Sequence, residues 1–357
     1  MKVIAGMSDR IPLNDIGRYA QHVEALGYDM LHIPETIHDS MAVALLALEH
    51  TTTLRVQTSL TLAFPRSPML LALQAWDLSQ MSGGRFDLGL ATQIKQNIEG
   101  RFGIPWSSPI RKMNDYVIAV KTAWNSFATG DPFIVDTEQY RMNRLQPFFN
   151  PGPLPHDGPQ LLLGGVNDNA VRLAGEVADW FVTHPTNSHP RFLRDRALPR
   201  LAEGINTANR TSNDVQVAIA IPYITGLNQL AVDQSRDAQR AVLGFLYSTP
   251  AYRRTLELFG WDDLGAQLQL MTRSGDWSQL GLLMTDEVLD ALIPSGTWNK
   301  LPSVINDWFG GLVDAVLIQP SDDFNDEFAE LIQRVKLIES RLNAIVTNSS
   351  RWQRPPK

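Results

Sequence analysis

LLALQAWDLSQMSGGRFDLGLATQIKQNIEGRFGIPW, residues 70–106, decides the fold. In its first part Leu70, Leu73, Gln74, Asp77 and Leu78 set apolar and polar faces at a period of about 3.6 residues, which predicts a helix. Ser82-Gly83-Gly84 stops it. Arg85-Phe86-Asp87-Leu88-Gly89-Leu90 then reads as a buried strand. The strand opens into Ala91-Thr92-Gln93, small and hydrogen-bonding, before an irregular segment with Gly100, Gly103 and Pro105. A helix feeding a strand with a small, polar C-terminal mouth is the repeating unit of an α/β barrel, whose chemistry sits at that mouth.

The same alternation runs outward in both directions. Upstream, strands are predicted over residues 2–6, 28–33 and 54–62, with helices over 14–27 and 41–50. Downstream, a long helix over 109–127 carries Met113, Val117, Val120 and Trp124 on one stripe. Residues 129–159 are rich in Pro, Gly and Asn and read as an excursion with a small hairpin around 133–141. Strands follow over 161–163, 180–183, 215–224 and 313–318, with helices over 167–177, 191–208 and 325–345. Eight strands with helical crossovers predict a parallel (β/α)8 TIM barrel over residues 1–346, with insertions after strands four and seven. The second insertion, residues 229–308, is too long for one crossover and reads as a helical addition over the mouth or at an oligomer contact. The tail, residues 347–357, is polar and is expected to fray.

The chain has 357 residues, a net charge of -7 and no cysteine. Disulfides, thiolate metal sites and thiol nucleophiles are excluded. The charge shows no basic block, which argues against nucleic-acid and membrane partners. The N-terminal apolar run is too short for a signal peptide or a span, so a cytoplasmic protein is expected. The seven histidines show no metal-ligand spacing, so no metal site is expected. Neither a G-x-S-x-G turn nor a dinucleotide or Walker phosphate loop is present.

LSQMSGGRFDLGLATQ, residues 78–93, resembles the fourth repeat of the bacterial-luciferase-like superfamily, in which S-G-G-R runs into a strand ending G-x-G/A. More narrowly it resembles the coenzyme F420-dependent branch. Residues 34–39 (PETIHD), 64–68 (FPRSP) and 173–179 (LAGEVAD) match in the same order. The resemblance implies a hydride-transferring oxidoreductase acting on a small organic substrate. It also implies a homodimer and a separate F420-reducing or flavin-reducing enzyme supplying reduced cofactor. The alternatives are an FMN-dependent monooxygenase and a barrel that only binds a ligand.

Further expectations rest on that resemblance. Thr58-Ser59-Leu60 matches a segment with a non-proline cis peptide behind the ring system, assigned here to Ser59–Leu60. Leu163-Gly164-Gly165-Val166, leading into a helix, and Thr183-His184 after strand six match the loops around the cofactor's ribityl and phosphate chain. Glycines admit a close backbone and a helix N-terminus favours an anion. Thr92 and Gln93 stand beside the ring, with Gln93 where related dehydrogenases carry a proton-donating glutamate. Glutamine cannot exchange a proton, so the acid–base role passes to His38, Glu35, Lys95, His184 or solvent. Reduction of an activated C=C or C=N bond is then favoured over alcohol oxidation. Trp106 is placed over the pocket. Arg66 and Arg111 are charge partners for substrate or phosphate, or members of surface ion pairs.

Overall fold

The computed structural model describes residues 1–322 and 324–344. Eight parallel strands form a closed barrel: β1 (Lys2–Gly6), β2 (Met30–Ile33), β3 (Arg55–Thr58), β4 (Phe86–Ala91), β5 (Leu161–Gly164), β6 (Trp180–Val182), β7 (Gln216–Ile219) and β8 (Ala315–Ile318). Each strand pairs with the next, and β8 returns to β1 with Ala315 opposite Lys2. Crossover helices lie outside: α1 (Ile16–Ala25), α2 (Ser40–Glu49), α3 (Pro68–Ser82), α4 (Pro109–Thr129), α5 (Asp168–Val177), α6 (Leu198–Thr207), α7 (Leu301–Phe309) and α8 (Asp326–Lys336). The fold is the expected α/β TIM barrel.

The β4 unit shows how the sequence builds it. A proline opens α3 at a position that needs no N–H. Gly83 closes it in the left-handed region at φ 66°, which a side chain would strain. Gly89 lies so close to β3 that a Cβ would fall 2.0 Å from the Thr58 carbonyl oxygen. The Thr58 hydroxyl fills the approach instead, donating to the Gly89 carbonyl at 3.0 Å and accepting its N–H at 2.9 Å.

Alternate strand residues point inward and outward. Outward side chains join the helices in the large core, whereas Ile4, Met30, Leu162, Trp180, Val182, Ala218 and Ala315 form a separate cluster inside the barrel. Trp76 and Trp124 are core residues, as their helix stripes predicted.

Three expected elements are corrected. The third strand breaks after Thr58, at the cis Ser59–Leu60 peptide, and resumes as Thr61–Leu62 beside β4. The seventh does not run to residue 224. It leaves the barrel after Ile219, Pro222 lacks the N–H a ladder needs, and Ile224–Gly226 pairs in parallel with Ser295–Thr297. The last helix, expected over 325–345, is interrupted: it runs Asp326–Lys336, breaks over 337–340 and is helical again over 341–344. The expected end of that helix and the tail lie outside the described residues.

The insertion after β7 is mainly helical (Gln229–Ser248, Asp262–Ser274, Asp286–Leu292), and α7 is its closing crossover. It is attached to loops at the C-terminal ends of β5 and β6. Tyr247 and Thr255 donate to the Thr186 carbonyl. Tyr252 stacks on His184 with ring centroids 4.0 Å apart, and Arg254 reaches Asp168 at 2.9 Å.

Candidate active site

Three adjoining hollows cross the C-terminal mouth of the barrel. The central one, about 290 Å³, is bordered by Gly6, His32, Ser59, Gly164, Thr183 and His184. A second, about 440 Å³, lies over β4 and β5 beside Thr92, Gln93, Lys95, Trp106 and Tyr252. Leu60, Gly164 and Gly165 border both. A third, about 530 Å³, lies over β7 and β8 and shares Pro185, Ala220, Leu317 and Gln319 with the centre.

The floor is a buried polar chain. Asp87, fully buried on β4, receives Arg55 Nε at 2.5 Å and Nη2 at 2.6 Å. It also accepts Gln57 Nε2 at 2.8 Å and the Gln160 N–H at 3.0 Å. With its amide nitrogen on Asp87, Gln57 presents Oε1 to His32 Nε2 at 2.9 Å. Nε2 must therefore carry the proton, which leaves Nδ1 as the acceptor. That buried Nδ1 has no partner among the described residues. Burial lowers the His32 pKa to about 4, so the imidazole is neutral at pH 7.

His184 is the complement. Its Nδ1 accepts the Thr186 N–H at 3.3 Å and contacts the Thr186 hydroxyl at 2.8 Å. The proton then sits on Nε2. Burial lowers this pKa also to about 4. The central hollow is thus bordered by two neutral imidazoles, one keeping a lone pair and the other an N–H.

The structure brings most of the expected residues together. Leu60 fills the space that Gly89 and Gly164 leave: a Cβ would fall 2.7 Å from its Cδ2 at the first and 2.3 Å from its Cδ1 at the second. Leu163, Gly164, Gly165 and Val166 border the second hollow, and Asn167 caps α5 by accepting the Ala170 N–H. Gln93 stands at φ 58°, uncommon for a residue with a side chain, and its Oε1 accepts the Ile94 N–H at 2.9 Å. Thr92 donates to the Gln93 carbonyl at 3.1 Å. Trp106 meets the edge of Phe64 at 6.0 Å. The Thr183 hydroxyl is shared with Ser188 at 2.5 Å, so it is not a free phosphate donor.

Glu35, Arg66 and His38 do not border these hollows. Glu35 accepts the Leu62 N–H at 2.5 Å and is clamped by the Arg66 guanidinium, which also reaches Asp39 at 2.6 Å. Glu35 and Arg66, expected in acid–base and substrate roles, form an ion-paired brace between the β2 and β3 loops, outside the three hollows. Arg111 forms an exposed pair with Glu138 at 3.7 Å. Sequence reasoning missed His32, because a histidine inside the run Met30–Ile33 looks like strand filler. The polar residues Gln57 and Asp87, inside two neighbouring strands, were the available signal.

Among the described residues no group of three or more His, Cys, Asp or Glu is arranged to hold a metal ion. None of their helices is long and apolar enough to cross a membrane.

The family model for luciferase-like monooxygenases matches residues 2–314, and the chain belongs to that family. An uncharacterised protein of Mycobacterium tuberculosis is 34% identical over 307 residues, covering 85% of this chain and 90% of its own. Among solved structures, the coenzyme F420-dependent tetrahydromethanopterin reductase of Methanopyrus kandleri superposes with a TM-score of 0.75 at 18% identity, covering 95% of this chain and 98% of its own. The EDTA monooxygenase of Chelativorans sp. BNC1 gives 0.69 at 13% identity, covering 98% and 94%. At these identities the two structures share the fold.

Proposed function

We propose that the chain binds coenzyme F420 across the central and second hollows and reduces an activated C=C or C=N bond of a small organic substrate. The observation that carries this reading is the continuous trough, in which Leu60, Gly164 and Gly165 border both hollows and His32 Nδ1 is a buried, unpaired acceptor among the described residues. Those features fit a flat, polar-edged ring system. When bound, the reduced deazaflavin supplies the hydride; the protein supplies position and electrostatics.

Leu60 and Ser59 would back the ring, and Trp106 would cover the cofactor side. The backbone of Gly164, Gly165 and Val166 would line the path of the cofactor chain toward the α5 N-terminus. His32 Nδ1 would accept a hydrogen bond from a cofactor N–H or hydroxyl. His184 Nε2–H would donate one to the substrate oxygen or nitrogen that gains electron density. Neither neutral imidazole is a strong acid, and Gln93 cannot donate a proton. The proton completing the reduction would therefore come from Lys95, which borders the second hollow, or from solvent. A separate reductase would regenerate the cofactor, and the chain would work as a cytoplasmic homodimer.

The second reading, an FMN-dependent monooxygenase, is favoured by the likeness to the EDTA monooxygenase fold. Titration with each cofactor, followed by tryptophan fluorescence, separates the two. Saturation by F420 at micromolar concentration supports the first reading. Saturation by FMN with no response to F420 reverses the order. Tight binding with no turnover of any unsaturated acceptor would leave a barrel that only binds.

A further inference from the structure

The third hollow differs from its neighbours in charge. Among the described residues no Asp, Glu, Lys, Arg or His borders it, although Lys95 borders the second hollow and two histidines the centre. The arginines on the adjoining helix are engaged elsewhere. Arg236 pairs with Asp290 at 2.7 Å and reaches the Ser295 hydroxyl at 3.3 Å. Arg240 binds Asp286 at 2.5 Å and the Met284 carbonyl. The walls mix uncharged polar residues, among them Ser235 and Gln319, with apolar and aromatic ones: Ile221, Val242 and Leu317 beside Trp298, whose ring meets Phe328 edge-on at 5.1 Å.

Within this uncharged wall stand three polar side chains with buried atoms unpartnered among the described residues: Tyr223 Oη, Thr225 Oγ1 and Gln239 Oε1. Tyr223 is 8% exposed. An unmet buried polar atom is costly, so three bordering one hollow mark places for hydrogen bonds from an occupant. A charged occupant would lose its hydration and meet no counter-charge among the described residues of the lining.

We infer that the third hollow is the substrate-recognition site and takes an uncharged organic compound: an apolar or aromatic body carrying a carbonyl or amide group. The occupant's carbonyl oxygen accepts from the Tyr223 or Thr225 hydroxyl, and an amide N–H donates to Gln239 Oε1. The shared border at Ala220, Leu317 and Gln319 lets its reactive end reach the central hollow. This end of the assignment rests on the function proposed above; the choice of a neutral occupant rests on the third hollow alone.

The test uses three probes of nearly the same shape: benzalacetone, cinnamamide and cinnamate, each titrated into the full chain at pH 7 by calorimetry. Benzalacetone and cinnamamide are expected to bind, and cinnamate at least about tenfold more weakly, for want of a cation. Tyr223→Phe and Thr225→Val are each expected to weaken benzalacetone by about fivefold, the loss of one hydrogen bond, with near-ultraviolet dichroism unchanged. Equal or tighter binding of cinnamate overturns the inference. So does benzalacetone binding that neither variant alters, or no binding of the neutral probes. If F420 saturates the protein and the neutral probes do not bind, this inference fails and the proposed function stands. If the neutral probes bind as expected but neither cofactor does, the inference survives and the proposed function falls.

Discussion

Acid should unfold this protein partly through His32, and the size of the effect can be worked out. The imidazole lies inside the barrel, its pKa moved from 6.5 to about 4 by burial. Above pH 6.5 it is neutral in both folded and unfolded chains and makes no difference. As pH falls below 6.5 the unfolded chain takes up a proton that the folded chain refuses, so stability is lost; the loss levels off below about pH 4, where both forms are charged. Between pH 7 and pH 5 this single group removes about 2 kcal/mol, from a ceiling of about 3 kcal/mol for the whole shift. Urea denaturation at the two pH values measures the loss. His184 and His189 are lowered to about 4 as well and add their own losses, so the informative quantity is the difference between the wild type and His32→Gln. The variant should lose about 2 kcal/mol less over the interval. In the wild type the His32 ring nitrogens should keep neutral NMR shifts at pH 5. Equal pH losses in both proteins, or a protonated His32 ring at pH 5, would refute the buried neutral assignment.

Other perturbations separate the parts of the mouth. Asp87→Asn removes the counter-charge of Arg55, and urea denaturation should show a loss of about 3 kcal/mol, the low end for a buried pair because the Arg55 side chain is 33% exposed. Gly89→Ala would press a Cβ against the Thr58 backbone and should abolish folding. Gly164→Ala meets only the flexible tip of Leu60, so it should stay folded, cost about 1–2 kcal/mol by thermal denaturation, and weaken cofactor binding. Equal melting temperatures for the two variants would contradict that contrast. Gln93→Gly relieves a left-handed backbone and should raise stability by about 1 kcal/mol in the same assay while lowering turnover.

What the sequence discloses follows the range of the interactions involved. The β4 unit is legible because helix period, glycine stop and strand are local, and eight such units define the barrel. The placement of Gly164, Gly165, Thr92 and Gln93 at the mouth follows from that count. The cis bond at Ser59–Leu60 was legible only through family resemblance, since the residues alone read as an ordinary strand. Glu35 and Arg66 are 31 positions apart, and nothing local announces that they clamp each other. His32 was hidden for a similar reason: its role depends on Gln57 and Asp87, which the closed barrel brings beside it. At the end of β7, Pro222 gave a local warning that a continuous reading of residues 215–224 overrode.

The attachment of the helical insertion has a consequence for how this molecule can change. Tyr223, Thr225, Gln239 and Trp298 lie on the chain between β7 and β8, whereas the Arg55–Asp87–Gln57–His32 chain lies on β2, β3 and β4. The segment from Tyr223 to Trp298 is therefore separate in sequence from every residue of the floor. Changes within it would leave the floor in place so long as its moorings are kept, among them hydroxyls for the Thr186 carbonyl, rings for His184 and His189, and a cation for Asp168.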